Sequence, residues 1–204
     1  MIKRKNIIKI AIDSPAAAGA GTIAKAISSH YKLFYLDTGK IYRFIAYLKI
    51  NFPSKYSLKF VKSKINSLSL KDLSKKALLS DEVGLEASII SKKKNIRKIV
   101  HSFQLNFAYN PPKKYNGSCL DGRDITYKIV PDADFKFYIT ASLRTRAIRR
   151  YKELKNFNKK ITYSMVLKSI RKRDKSDLGR KISPLKKTKD SLLINTTNLT
   201  KRAC

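Results

Sequence analysis

Residues 13–22 read DSPAAAGAGT, a stretch almost without side chains set between an apolar run and a helical pattern. The run is Ile7-Ile8-Lys9-Ile10-Ala11-Ile12, and the helical pattern extends from about Thr22 to His30. Small residues from Ala16 to Gly21 leave backbone N–H groups uncovered, and a helix starting there turns its positive end toward the same space. Both features suit a phosphate. The candidate nucleotide-binding residues are therefore Ser14, Pro15, Ala16, Ala17, Ala18, Gly19, Ala20, Gly21 and Thr22, and the Thr22 hydroxyl is the candidate ligand for a metal ion carried with the nucleotide. The pattern G-x-x-x-x-G-K-[ST] would place a glycine at Ser14 and a lysine at Ala20. The loop thus has the shape of a phosphate cradle and lacks its charge.

Other elements must bring partners to this loop. A second apolar run, Leu33 to Leu36, ends at Asp37-Thr38-Gly39 and passes into the helical stretch KIYRFIAYLKI. Ser118 to Leu120 forms a short strand that ends at Asp121-Gly122-Arg123-Asp124; Phe135 to Ile139 and Leu192 to Ile194 read as two more. Strand, turn and helix in repetition predict an α/β fold with a five-stranded parallel sheet flanked by helices. The polar residues that follow the strands then fall along one edge of the sheet, where such sheets bind ligands. Helices are predicted at about 95–106, 142–154 and 165–174, with a breaker-rich loop at 109–117. Between Asn51 and Lys94, Pro53 and many serines and lysines predict short helices forming a separate lobe. Several of these residues also fit plain scaffolding: Asp37 suits a helix cap, Asp121 a turn brace, and Arg43 or the RRYK run a solvated helix face.

Composition narrows the class. The 204 residues hold 46 Lys+Arg against 14 Asp+Glu, a net charge of +32, with 43% hydrophobic content. That is enough apolar material for one domain with a core. The charge attracts polyanions, although a chain rich in lysine, isoleucine and asparagine also fits a coding bias without a dedicated partner. Two cysteines, Cys119 and Cys204, make no disulfide framework and share no metal-ligand spacing with His30 or His101, so a cytoplasmic setting is expected. No apolar stretch approaches the roughly 18 residues of a membrane span.

The motifs taken together resemble one family. DSPAAAGAGTIAKAI followed by YLDTGKIYR is similar to the start of bacterial cytidylate kinases, where D-G-P-x-x-x-G-K-G-T precedes D-[ST]-G-x-x-Y-R. LDGRD, VPDADFKFYITAS, RAIRR and RKRDKSDLGRKISPL follow in the family's order and at fitting spacing. The resemblance implies a monomeric nucleoside-monophosphate kinase that moves the γ-phosphate of Mg2+-bound ATP to CMP and dCMP, with the lobe at 51–94 holding the acceptor and a lid at 158–184. It implies that Thr38, Ser88, Arg97 and Asp124 line the cytosine pocket, and that Arg43, Arg123 and Arg173 hold the acceptor phosphate. Asp177 would take the ribose hydroxyls with Arg180 beside it, and Arg171 and Arg173 would close over the donor phosphates.

The chain also departs from the family. Ala20 and Ser14 replace the loop's lysine and first glycine; Lys40, where the family pattern carries a small or apolar residue, is the expected substitute cation, with Lys25 second. The lobe lacks the strand-rich insert of many relatives, and the chain ends at TKRAC soon after its last strand, where the resemblance implies a further helix. Two other functions remain open on sequence: a fold that keeps CMP without turning it over, and a basic protein bound to nucleic acid.

Overall fold

The computed structural model describes residues 7–156, 159–200 and 203. In chain order the elements are β1 (Ile8–Asp13), α1 (Ala20–His30), β2 (Leu33–Asp37), α2 (Thr38–Asn51), α3 (Leu58–Asn66), α4 (Asp81–Ile90), α5 (Lys94–Tyr109), β3 (Gly117–Gly122), β4 (Phe135–Thr140), α6 (Leu143–Lys155), α7 (Tyr163–Gly179) and β5 (Leu192–Asn195). Among the described residues the strands form one sheet in the order β2-β3-β1-β4-β5, every pair parallel. This is the α/β fold with a five-stranded parallel sheet that the repeated strand-turn-helix pattern predicts. The register sets Asp37 beside Asp121, Asp13 beside Gly122 and Tyr138, and Thr140 beside Asn195. The loop after β1 lies where the chain's progress along the sheet reverses, at the crevice such sheets offer a ligand.

Parallel strands need covering on both faces, and the residues divide accordingly. On one side α2, α5, α4 and α3 bury Ile41, Ile45, Val61, Ile65, Ile90, Ile96 and Val100 against Ala11, Leu36 and Leu120. On the other, α1 packs Ile23 and Ala24 against Ile10, Ile12, Cys119 and Ile139. A third, smaller cluster joins α6 to α7 through Ala147, Leu154, Val166 and Ile170. β5 closes one edge of the sheet with Leu192 and Leu193 62% and 51% exposed. No helix among the described residues is long and apolar enough to cross a membrane.

The lobe between Asn51 and Lys94 is built of α3, α4 and three 3-10 turns, with no strand among its residues. Three boundaries differ from expectation. α2 begins at Thr38 because Asp37 accepts the Lys40 N–H and caps it. β3 runs on to Gly122 because its ladder with β1 continues to Asp13. α7 extends through KSDLG to Gly179, since nothing breaks it sooner, and so carries Asp177 on its last turn. Residues 125–129 form a single π-helical turn that their apolar sequence does not announce. Residues 196–200, after β5, are turn and irregular, with no helix among them, and Cys204 lies outside the described residues.

Candidate active site

The loop after β1 is held in shape from behind. Asp13 is fully buried and accepts hydrogen bonds from the Ile125 N–H (2.8 Å), the Thr126 N–H (2.9 Å) and the Thr126 hydroxyl (2.6 Å), which ties the π-helical turn to the end of β1. The Ala16 carbonyl accepts from Arg146 Nη1 at 3.1 Å and the Ala18 carbonyl from the Thr196 hydroxyl at 2.8 Å. In a trans peptide the carbonyl and the next N–H point opposite ways. Fixing those two oxygens behind the loop therefore turns the Ala17 and Gly19 N–H groups to its front, toward the start of α1.

Two residues take left-handed backbone to make this turn, Gly19 at φ 93° and Ala17 at φ 60°. Glycine does so freely; an L-residue with a Cβ does not, at a cost of about 1–2 kcal/mol. Ala17→Gly is accordingly expected to stabilise the protein by about 0.5–1 kcal/mol after the unfolded chain's gain in freedom is counted. The shift in a denaturant midpoint measures it, and a lowered midpoint would show that Ala17 is not strained. Ala20, where the loop pattern has lysine, is the first residue of α1 and is buried.

Beside the loop stand two carboxylates. A Cβ built at Gly21 would lie 3.4 Å from Asp121 Oδ2 and 3.4 Å from the Tyr35 hydroxyl, which donates to Asp121 Oδ1 at 3.3 Å. Burial first, and then the charge of Asp37, push the Asp121 carboxyl well above the usual carboxylate range, with Arg123, the Tyr35 hydroxyl and Lys25 opposing. Thr22 is exposed at the start of α1. The Thr38 hydroxyl donates to the Asp121 carbonyl at 2.8 Å.

Across from the loop, Arg43, Arg123, Arg150 and Arg173 converge from α2, the β3 end, α6 and α7. Arg43 donates to the Leu78 and Ser80 carbonyls of the lobe at 2.7 and 3.1 Å, and α4 passes so close that a Cβ at Gly84 would lie 2.8 Å from its guanidinium. Burial, then Arg173, then Arg150 lower the Arg43 pKa. Arg150 donates to the Leu79 carbonyl at 3.0 Å and stands 3.7 Å from Asp81. Arg173 has its Nε buried without a hydrogen-bond partner, and burial followed by Arg123 lowers its pKa too. Two of the four are balanced by acids: Arg123 Nε pairs with Asp177 at 2.9 Å, and Arg150 Nη1 with Glu153 at 3.0 Å on its own helix. Burial opposes the Asp177 charge, yet Arg123, Arg180 and Arg173 outweigh it and lower the pKa. Crowded cations short of acids make an anion site.

Next to them lies a buried polar cluster packed on an aromatic ring. Arg97 pairs with Asp124, donates to the Ser91 carbonyl at 3.1 Å and sits over the buried Tyr42 ring, 5.6 Å from its centre. Arg180 donates to the Ser183 carbonyl at 2.6 Å and the Ser91 hydroxyl at 3.3 Å, and lies 3.5 Å from Asp177. Ser88 of α4 meets Ser176 of α7 at 3.3 Å, so the lobe touches the predicted lid there.

The structure thus gathers Arg43, Arg97, Arg123, Asp124, Arg173, Asp177 and Arg180 around one crevice with the loop at its side. It does not bring Arg171 into the cluster; that side chain is exposed. Lys40 is half-buried and its side chain makes no ion pair or hydrogen bond among the described residues, and Lys25 is exposed on α1. Sequence reasoning missed Arg146, Arg149 and Arg150. Arg149 donates to the Thr196 hydroxyl and carbonyl at 2.8 and 2.7 Å, close behind Gly19. Their signal was the spacing R-x-x-R-R in RAIRR, which sets three arginines within one turn of α6.

Comparison with known proteins agrees with this geometry. The family model for cytidylate kinase matches residues 10–203. The cytidylate kinase of Bartonella tribocorum (strain CIP 105476 / IBS 506) is 42% identical over 196 residues, covering 93% of this chain and 87% of that protein. That of Clostridium tetani (strain Massachusetts / E88) is 39% identical over 206 residues, covering 94% and 87%. That of Mesorhizobium japonicum (strain LMG 29417 / CECT 9101 / MAFF 303099) is 36% identical over 195 residues, covering 95% and 88%. With the family model matched over residues 10–203 and relatives of about 40% identity covered over most of their length, the chain belongs to the cytidylate kinase family.

Proposed function

We propose that this protein transfers the γ-phosphoryl group of ATP to CMP and dCMP. The observation that carries the reading is the set of four converging arginines between the loop and the Arg97–Asp124 pair, of which Arg43 and Arg173 make no ion pair among the described residues and have their pKa values lowered by burial and by neighbouring arginines. An oxygen of the CMP phosphate forms a bond to the γ-phosphorus as the bond to the β-phosphate oxygen breaks, giving CDP and ADP. No side chain need take a proton from the nucleophile, which is already an anion. The reaction asks for positioning and for neutralised charge.

In this reading residues 14–22 hold the donor phosphates, and Arg43, Arg123 and Arg173 hold the acceptor phosphate. Arg97 and Asp124, with Thr38 and Ser88 nearby, read the polar edge of cytosine; Asp177 accepts from the ribose, with Arg180 beside it. Residues 51–94 form the acceptor lobe and 158–184 the lid, with Arg171 on its outer side until it closes. We read the protein as a cytoplasmic monomer without a nucleic-acid ligand.

Mg2+, arriving with ATP, would neutralise charge on the donor phosphates. The Thr22 hydroxyl at the start of α1 fits it, and so does the mutual repulsion of Asp37 and Asp121, which a cation relieves. The described residues contain no cluster of three or more His, Cys, Asp or Glu that would hold a metal alone, so the nucleotide must supply most of the ligands.

The missing lysine charge is assigned to Lys40. Its backbone N–H is fixed to Asp37 at 3.3 Å, one strand away from Asp121, while its ammonium has no partner among the described residues. Lys40→Ala is expected to lower kcat by about a hundredfold with little change in KM for CMP, and Lys25→Ala to change kcat much less. The reverse pattern would transfer the role to Lys25.

Coupled ADP production from Mg-ATP with CMP, dCMP, UMP and AMP tests the whole reading. Turnover selective for CMP and dCMP is expected. CMP binding without ADP formation would mean a fold that kept its acceptor and lost its chemistry.

A further inference from the structure

Arg146 lies outside the groups that would touch substrate, yet it makes three ties among separate elements. Its Nε donates to the Ala141 carbonyl at 2.9 Å, just past β4; its Nη1 donates to the Ala16 carbonyl at 3.1 Å in the donor loop; and the same Nη1 lies 2.7 Å from Asp174 Oδ2 on α7. The side chain is 8% exposed. A single buried nitrogen is therefore shared between the phosphate loop and the helix that carries Arg173 and Asp177.

The α7 side of this link is poised. Asp174 Oδ1 is buried without a hydrogen-bond partner, and so is Nε of its neighbour Arg173. A fold optimised only for stability has little reason to keep two such atoms on consecutive residues. Arg173 and Asp174 stand about 100° apart around one rigid helix. Whatever shift of α7 draws Arg173 onto an acceptor phosphate must also move Asp174 against Arg146. On the loop side, Arg146 holds the oxygen of the peptide that precedes Ala17, the residue at φ 60°. Released, Ala17 would relax out of the left-handed region and turn its N–H away from the front of the loop.

We infer that Arg146 is a positioning residue through which α7 sets the phosphate-binding conformation of the donor loop, so that acceptor and donor nucleotides bind cooperatively. The inference rests on the proposed nucleotide sites, and coupling between two ligands is reciprocal whichever binds first.

Calorimetric titration of Mg-ADP with and without saturating CMP tests it without requiring turnover. In the wild type, CMP is expected to tighten ADP binding about fivefold or more. Arg146→Lys and Asp174→Asn are each expected to bring that factor close to one, the double variant to do no worse than either, and the Kd of CMP alone to stay within about twofold. A coupling factor that persists in the single variants overturns the inference, as does one already absent in the wild type or losses that add in the double variant. Should Arg146→Lys fail to fold, Asp174→Asn decides alone, because it leaves both carbonyl bonds of Arg146 in place. A wild type that couples the two ligands but forms no ADP from ATP and CMP would sink the proposed activity and leave this link standing.

Discussion

Arg173→Ala is expected to lose phosphoryl transfer by about a thousandfold or more while unfolding at the same or a higher temperature. The two halves have one cause. Arg173 is half-buried, close enough to Arg123 and Arg150 for their charges to lower its pKa, and its buried Nε has no partner among the described residues. Without substrate it is a repelled and desolvated cation; with a phosphate present it gains two charge-assisted bonds and the repulsion becomes attraction. Removing it takes away that attraction and also the crowding around Arg43, whose pKa Arg173 and Arg150 both depress. Steady-state turnover and a thermal melt on the same preparation read both effects. If the melting temperature falls by several degrees along with the rate, Arg173 braces the fold and the crevice is not primed by its own repulsion.

Asp13→Ala should be the most damaging single change to stability, costing about 3–5 kcal/mol. It deletes the acceptor of three hydrogen bonds and leaves the Ile125 and Thr126 N–H groups buried and unpaired at the turn that carries Asp124 into the polar cluster. The wild type should also show a pH signature. Burial raises the Asp13 pKa to about 6 from 3.8, against the lowering by its Thr126 and Ile125 donors, with Asp124 adding a little. Between those values the folded chain keeps a proton that the unfolded chain has released, so stability declines as pH rises through the interval, by on the order of 3 kcal/mol. Denaturant unfolding at several pH values from about 4 to 7 should show that slope, and Asp13→Ala should lose much of it. A slope of the same size in the variant would place the titration elsewhere.

Both residues show how far sequence carries. The strands were legible because their apolar runs are short, β-branched and punctuated by Asp, Gly or Asn, and the loop because nothing but small residues separates β1 from α1. The crevice was legible as motifs, and Arg97, Asp124, Asp177 and Arg180 do meet. What could not be read were contacts that only the sheet creates. Asp13 finds Thr126 because β1 and β3 are neighbours; the sequence separates them by more than a hundred residues. Arg146 and Arg150 look like solvent-facing charge on a basic helix, and packing against α7 and the lobe turns that face inward. The π-helical turn at Ile125–Ile129 is invisible for the same reason, since Asp13, from a distant strand, anchors the start of a turn whose later residues bond among themselves.

The open edge of the sheet bears on how the purified protein behaves at high concentration. Leu192 and Leu193 point to opposite faces of a terminal strand, both exposed, and a strand edge with no further partner among the described residues is a template for another copy. Against this stands a net charge of +32, which keeps molecules apart. That repulsion reaches about 10 Å at 0.1 M salt and only about 3 Å at 1 M. Colloidal stability therefore depends on the buffer: dilute solutions hold the protein dispersed, and salting favours self-association along β5 long before the fold itself is threatened.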